Sequence, residues 1–157
     1  MPKEKGFTLV ELLIVIAIIG ILTAVGLASF TSSQIKSRDI KRKTNLSQIA
    51  QSLELYNNDM GRYPSSSSGK IMGCGAGAIN LCNWGTDAFS NTTTGTVYMI
   101  KLPADPGAYT YYYISTGKTY QLYAYIENVK DGSIITTGYS CGSSDCNYGV
   151  SSSNTKP

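Results

Sequence analysis

Hydrophobic and polar positions divide the chain into three regimes. From Leu12 to Phe30 nearly every position is apolar, and between Lys5 and Lys36 the sole charged side chain is Glu11. At about 1.5 Å per helical residue such a run can cross a hydrocarbon core of roughly 30 Å, so it predicts a membrane-spanning helix. From Thr31 to about Met60 the pattern stays helical but turns polar, with no Gly or Pro before Gly61 and Pro64. Within it Leu46, Ile49, Leu53, Tyr56 and Met60 recur at spacings of 3, 4, 3 and 4, one apolar stripe on an otherwise wet helix. The stripe covers barely two heptads, too few for a coiled-coil seam, and predicts packing against the chain's own sheet.

Beyond Pro64 the helical period disappears. Residues 61–96 are rich in Ser, Gly, Asn and Thr, with Trp84 and Phe89 as the large apolar anchors, and predict a long surface loop. Its Gly73-Cys74-Gly75-Ala76-Gly77 run has no Lys-Ser or Lys-Thr after it, so a phosphate cradle is not expected. Val97 to Leu102 predicts a short strand, and Leu102-Pro103-Ala104-Asp105-Pro106 a rigid turn. The clearest sheet signal follows: Tyr109 to Ser115 and Tyr120 to Glu127, joined by Thr116-Gly117-Lys118-Thr119, predict an antiparallel hairpin. Tyr120, Leu122, Ala124 and Ile126 would face the helical stripe, while Gln121, Tyr123, Tyr125 and Glu127 look outward or toward a neighbouring subunit. Lys130-Asp131-Gly132 marks a turn before an expected third strand at Ser133 to Thr137, and the Ser, Gly and Asn rich tail is expected to fray after Cys146. Helix, loop and meander make an α+β fold, a long helix whose second half packs on a small antiparallel sheet.

Length and composition narrow the picture. With 157 residues there is room for one small globular domain beyond the apolar helix, and the net charge of +3 is too weak to imply nucleic acid. Lys36, Arg38, Lys41, Arg42 and Lys43 crowd the stretch after the apolar run and read as a solvated collar at lipid head groups. Eight of the twelve tyrosines lie between Tyr98 and Tyr125, as suits a half-buried sheet. The chain has no histidine, which excludes triads with a histidine base, and its acids form no obvious acid-base dyad, so an enzyme is not expected. Four cysteines, Cys74, Cys82, Cys141 and Cys146, sit at spacings unlike zinc sites and suggest disulfides in an oxidising compartment. Of the three pairings open to them, the local pairs Cys74 with Cys82 and Cys141 with Cys146 are expected, each closing a short Gly-containing loop.

Two details set the apolar run apart from a plain anchor. A secretory signal peptide places its cleavage site after the apolar stretch, whereas here a short charged leader, Met1 to Gly6, precedes it directly. Glu11 is the other: a carboxylate inside a bilayer costs about 3 kcal/mol, which makes it a functional residue in need of a partner. Cleavage between Gly6 and Phe7 would supply one, because the new Phe7 ammonium of a neighbouring, axially offset helix could meet Glu11 in a dry core and set the register.

Gly6-Phe7-Thr8-Leu9-Val10-Glu11-Leu12-Leu13-Ile14-Val15-Ile16 resembles the processing and methylation segment of the type IV pilin superfamily, which includes the pseudopilins of type II secretion. The resemblance implies cleavage after Gly6, N-methylation of Phe7 by the prepilin peptidase, and a role for Glu11 with Phe7 in assembly. It extends to Asp59-Met60-Gly61-Arg62-Tyr63-Pro64, similar to the helix exit of major pseudopilins, and to the Leu-Pro-x-Asp-Pro turn before a Tyr-rich hairpin. One departure is Ala28, where many members carry a proline; Gly20 and Gly26 could loosen the helix instead.

The organisation expected from pattern and resemblance together is a leader at 1–6, a transmembrane and assembly helix at 7–30, its amphipathic continuation at 31–60, and a pilin-like globular domain at 61–157. That domain would comprise the loop 61–96, a sheet within 97–137 and a disulfide-containing loop at 138–157, the whole a pilin-like ladle. Counting Lys and Arg across the span would place the C-terminal side in the cytoplasm; the cysteines and the resemblance place it outside. Implied partners are copies of the chain in a homopolymeric filament, the prepilin peptidase, other minor pilins or pseudopilins, an assembly-platform membrane protein and the bilayer. A DNA-uptake pilin would be the binding-module alternative, but the basic cluster lies near the membrane, which argues against nucleic acid. The Cys141 to Cys146 loop resembles that of a pilus-building pilin, which keeps adhesion and motility as the other alternative. Calcium is the one cofactor the resemblance brings in, with Glu127, Asp131 and Asp145 as candidate ligands; the acidic, glycine-rich tail typical of that site is not evident, and disulfides would staple in its place.

Overall fold

The computed structural model describes residues 6–157, so the expected leader falls, except for Gly6, outside the described residues. The first element, α1, runs Leu9–Met60 without a break at Gly20 or Gly26. The chain divides into two compact units, one ending at Ser37 and the other Arg38–Pro157. In the first, the apolar side chains stand exposed, Phe7 at 85% and Ile21 at 68%. By length and composition this part of α1 suffices to cross a membrane.

In the second unit the expected stripe is the floor of the core. Leu46, Ile49 and Leu53 are fully buried and Tyr56 nearly so, because residues three and four apart share one helix face. Gly61 ends the helix in the left-handed region, its N–H bonded to the Asn57 carbonyl at 2.8 Å. Over the stripe lie the rings of Phe89 and Tyr98, 5.4 and 5.1 Å from Tyr56, together with Tyr111, Tyr113, Tyr120, Leu122 and Leu102.

Three small antiparallel sheets supply those side chains. β1 (Ser65–Ser67), β2 (Lys70–Cys74) and β3 (Asn80–Leu81) form the first, with a 3₁₀ turn at Ala76–Ala78 between the last two. β4 (Phe89–Asn91) pairs with β5 (Thr96–Met99). β6 (Tyr112–Ser115), β7 (Tyr120–Ala124) and β8 (Tyr148–Ser151) form the third.

Three expectations need correction. The stretch 61–96 is not one long loop: it carries four strands, and Ile71, Cys82 and Phe89 are buried in it. Its polar composition concealed them because strands of two to five residues need only one or two inward apolar side chains. Ser133 to Thr137 forms no strand. The tail takes that place, β8 pairing with β7 from Gln121 opposite Ser151 to Ala124 opposite Tyr148. A Cβ at Gly149 would come within 2.6 Å of the Tyr123 ring, so glycine lets β8 lie against it. Asn147 extends the pairing with its side chain, accepting from the Ile126 N–H at 2.6 Å and donating to the Ile126 carbonyl at 2.9 Å.

The two faces of β7 also differ from expectation. Tyr120, Leu122, Ala124 and Ile126 are buried, as the alternation requires. Tyr123 is buried too, in a second cluster with Cys141 and Cys146, and its ring lies 5.1 Å from that of Tyr139. The tail folds back over what would have been the outer face. The disulfides are local: Cys74 is bonded to Cys82 and Cys141 to Cys146, with Cα atoms 5.5 and 5.0 Å apart. Trp84, the one tryptophan, packs edge-on against Tyr111 at 5.7 Å, and its buried indole N–H has no hydrogen-bond partner among the described residues.

Candidate functional site

At the N-terminus Gly6 and Phe7 precede the helix and Thr8 caps it. The Glu11 carboxylate accepts from the Thr8 N–H at 2.8 Å and from the Thr8 hydroxyl at 2.6 Å, while the Glu11 N–H donates back to the Thr8 hydroxyl oxygen at 3.2 Å. This is a capping box, which satisfies otherwise orphaned donors of the first turn. Its signal, Thr-x-x-Glu, stands in the sequence but is eclipsed there by the pairing of Glu11 with an ammonium. In the lone chain the carboxylate is therefore held locally, on the same turn as Phe7.

The second constellation is built by the basic cluster. Arg42 is fully buried. Its Nε and Nη2 donate to the two Asp105 oxygens at 2.7 and 3.0 Å, and its Nη1 lies 2.8 Å from Asp39 Oδ1 and 2.7 Å from Glu127 Oε1. Arg38 grips the same Glu127 carboxylate with a second fork, at 2.8 and 2.6 Å. Lys43 pairs with Asp131 at 2.7 Å. Asp39 in turn accepts the N–H groups of Glu127 and Asn128 at 3.0 and 2.9 Å, so the helix holds the chain as it leaves β7. Asn45 extends the seam by donating to the Tyr111 hydroxyl at 2.7 Å.

The expectation of a head-group collar is thus overturned for Arg38, Arg42 and Lys43; Lys36 and Lys41 remain exposed. Arginine and lysine at i, i+4 and i+5 placed these groups on the sheet side of the helix, where carboxylates from the proline turn and the end of β7 compensate them. Burial opposes the charge on Arg42, but the hydrogen bonds it donates to Asp105 and Glu127 outweigh that and raise its pKa. Arg38 first, with Arg42, holds the Glu127 carboxyl down to about 2, and Lys43 with Ser133 holds Asp131 down to about 2.

The calcium candidates do not fit the ion. Glu127 and Asp131 are each engaged by cationic side chains, and Asp145 sits in the disulfide-closed loop, bridged to Ser140. Among the described residues no cluster of three His, Cys, Asp or Glu could hold a metal.

Comparison with known proteins places these features in a family. Residues 1–27 match the prokaryotic N-terminal methylation motif, and residues 29–140 match the type II secretion system protein G family. The chain belongs to that family. The protein G match spans α1 beyond the apolar run, β1 to β7, and every member of the charged cluster, and ends before β8. Type II secretion system core protein G of Pseudomonas aeruginosa is 29% identical over 83% of this chain and 88% of its own length. That of Vibrio cholerae is 27% identical over 74% of this chain and 75% of its own. The type IV major pilin protein PilA of Myxococcus xanthus is 40% identical, but over only 40% of this chain and 28% of its own. No solved structure matches the chain.

Proposed function

We propose that this protein G family member is a filament subunit of a type II secretion system, cleaved between Gly6 and Phe7 and methylated on the Phe7 nitrogen by a prepilin peptidase. The coincidence of the N-terminal methylation motif with a protein G match over most of the remaining chain carries this reading. The exposed apolar half of α1 holds the subunit in the cytoplasmic membrane with its C-terminal domain outside, in keeping with two disulfides in that domain. Assembly replaces lipid around those side chains by identical helices. There Glu11 exchanges part of its Thr8 cap for the Phe7 ammonium of a neighbour, and a misregistered helix would leave both charges unpaired in a dry core. The subunit's work is mechanical: copies join, with minor pseudopilins and an assembly-platform membrane protein, into a fibre that helps move proteins outward.

Nucleic acid finds little to hold, because Arg38, Arg42 and Lys43 are committed to carboxylates. A pilus pilin is the second reading, favoured by the local likeness to a major pilin and by the Cys141–Cys146 loop.

Intact mass of the protein from its native membrane tests the processing. The expected chain begins at methylated Phe7 and gains two hydrogens per disulfide on reduction. Retention of residues 1–6 overturns the filament reading. A deletion strain separates the two systems: loss of protein export with surface fibres intact is expected, and loss of fibres with export intact overturns secretion in favour of the pilus.

A further inference from the structure

A divalent metal site gathers several carboxylate and carbonyl oxygens onto one cation and so can pin chain segments together. Here three carboxylates from distant segments already converge on a cation, and it is covalently part of the chain. We propose that the Arg42 guanidinium is a built-in substitute for a bound calcium ion, tying the segment after β7 and the proline turn to α1, so that the domain folds without metal.

The geometry matches that role. Asp39 comes from the helix, Asp105 from the Leu102 to Pro106 turn and Glu127 from beyond β7, with sequence separations from Arg42 of 3 and 63 for the first two and of 89 between Arg38 and Glu127. All three nitrogens of the Arg42 fork are used, at 2.7 to 3.0 Å. The Arg42 side chain is 0% exposed, those of Asp105 and Asp39 are 1% and 4%, and Glu127 is 18%. Buried carboxylates in this number require a cation, and arginine supplies one that is always charged and presents several donors in a fixed plane. Arg38 and Lys43, on either side of Arg42 along the helix, pair with Glu127 and Asp131 and add positive charge that disfavours an incoming divalent ion. Gly107 belongs to the same fit: a Cβ there would lie 3.0 Å from Arg42 Nη2. A tethered cation differs from a bound one in a measurable way, since it cannot be chelated or diluted away.

The test is thermal melting of the full chain in detergent micelles, in millimolar calcium chloride or in EDTA. The unaltered chain is expected to melt within about 1 °C in the two media. Arg42→Ala is expected to melt lower in EDTA and to regain about 3 °C or more in calcium, because the carboxylates left unpaired now take up the free ion. Should Arg42→Ala be unfolded in both media, Arg42→Gln, which keeps a donor but not the charge, carries the same comparison. A calcium-dependent rise in the unaltered chain overturns the proposal, because the fold would then be using a metal. A folded Arg42 variant that gains nothing from calcium also overturns it, reducing Arg42 to an ordinary buried ion pair.

Discussion

At the scale of single residues, two carboxylates hold local structure in the single chain. Glu11 is half of a capping box, and Thr8→Val removes the hydroxyl that both accepts the Glu11 N–H and donates to its carboxylate. The expected outcome is a first helical turn weakened by about 1 kcal/mol. Hydrogen exchange in micelles checks it: amides from Leu9 to Leu13 should exchange faster, with those near Leu46 unchanged. Asp105 is the other, its carboxylate forked onto buried Arg42. Asp105→Ala leaves that guanidinium short of its bidentate partner and is expected to cost about 3–5 kcal/mol, read by chemical denaturation. Asp105→Glu, which keeps the charge at a longer reach, should cost less.

At the scale of elements, the apolar run was legible in the sequence from its length, the helical stripe from its 3-4-3 spacing, and the β6–β7 hairpin from two Tyr-rich segments around a Gly turn. Leu46, Ile49, Leu53 and Tyr56 are where the 3-4-3 spacing puts them, and Leu53→Ala is expected to destabilise the domain by about 2–5 kcal/mol on denaturant titration. The strands between Ser65 and Asn91 were not legible, since Ser-Ser-Ser in β1 has no alternation to show. β8 was hidden for a different reason: the third place beside β7 could be taken by Ser133 to Thr137 or by the tail, and the choice rests on Gly149 fitting against Tyr123 and on Asn147. The charged cluster was legible as composition but not as contact, because its acidic partners other than Asp39 lie some sixty to ninety residues away. Cys141→Ser with Cys146→Ser should cost about 2 kcal/mol, as a short loop allows, and loosen the cover over Tyr123 before it loosens Leu53.

For the molecule as a whole, the carboxylates set the acid limit. Glu127 is lowered from 4.5 to about 2 and Asp131 from 3.8 to about 2, with Arg38 and Lys43 as the first causes. A depressed carboxyl stabilises the fold fully above its unfolded value and progressively less as pH falls toward the folded one. Melting temperature should therefore be flat with respect to these groups above about pH 5 and fall between about pH 4.5 and 2, followed by circular dichroism. The alkaline side has the opposite sign. Burial, aided by Glu54, pushes Tyr63 up to about 12, so its contribution is complete below about pH 10 and declines toward 12. The single indole packed edge-on against Tyr111 makes all of this visible. Trp84 is the only fluorophore of its kind in the chain, and its ring nitrogen is shielded from water in the folded domain. Its emission is an intrinsic optical gauge of whether the second unit is intact, readable in micelles, in membranes or in a growing fibre without any label.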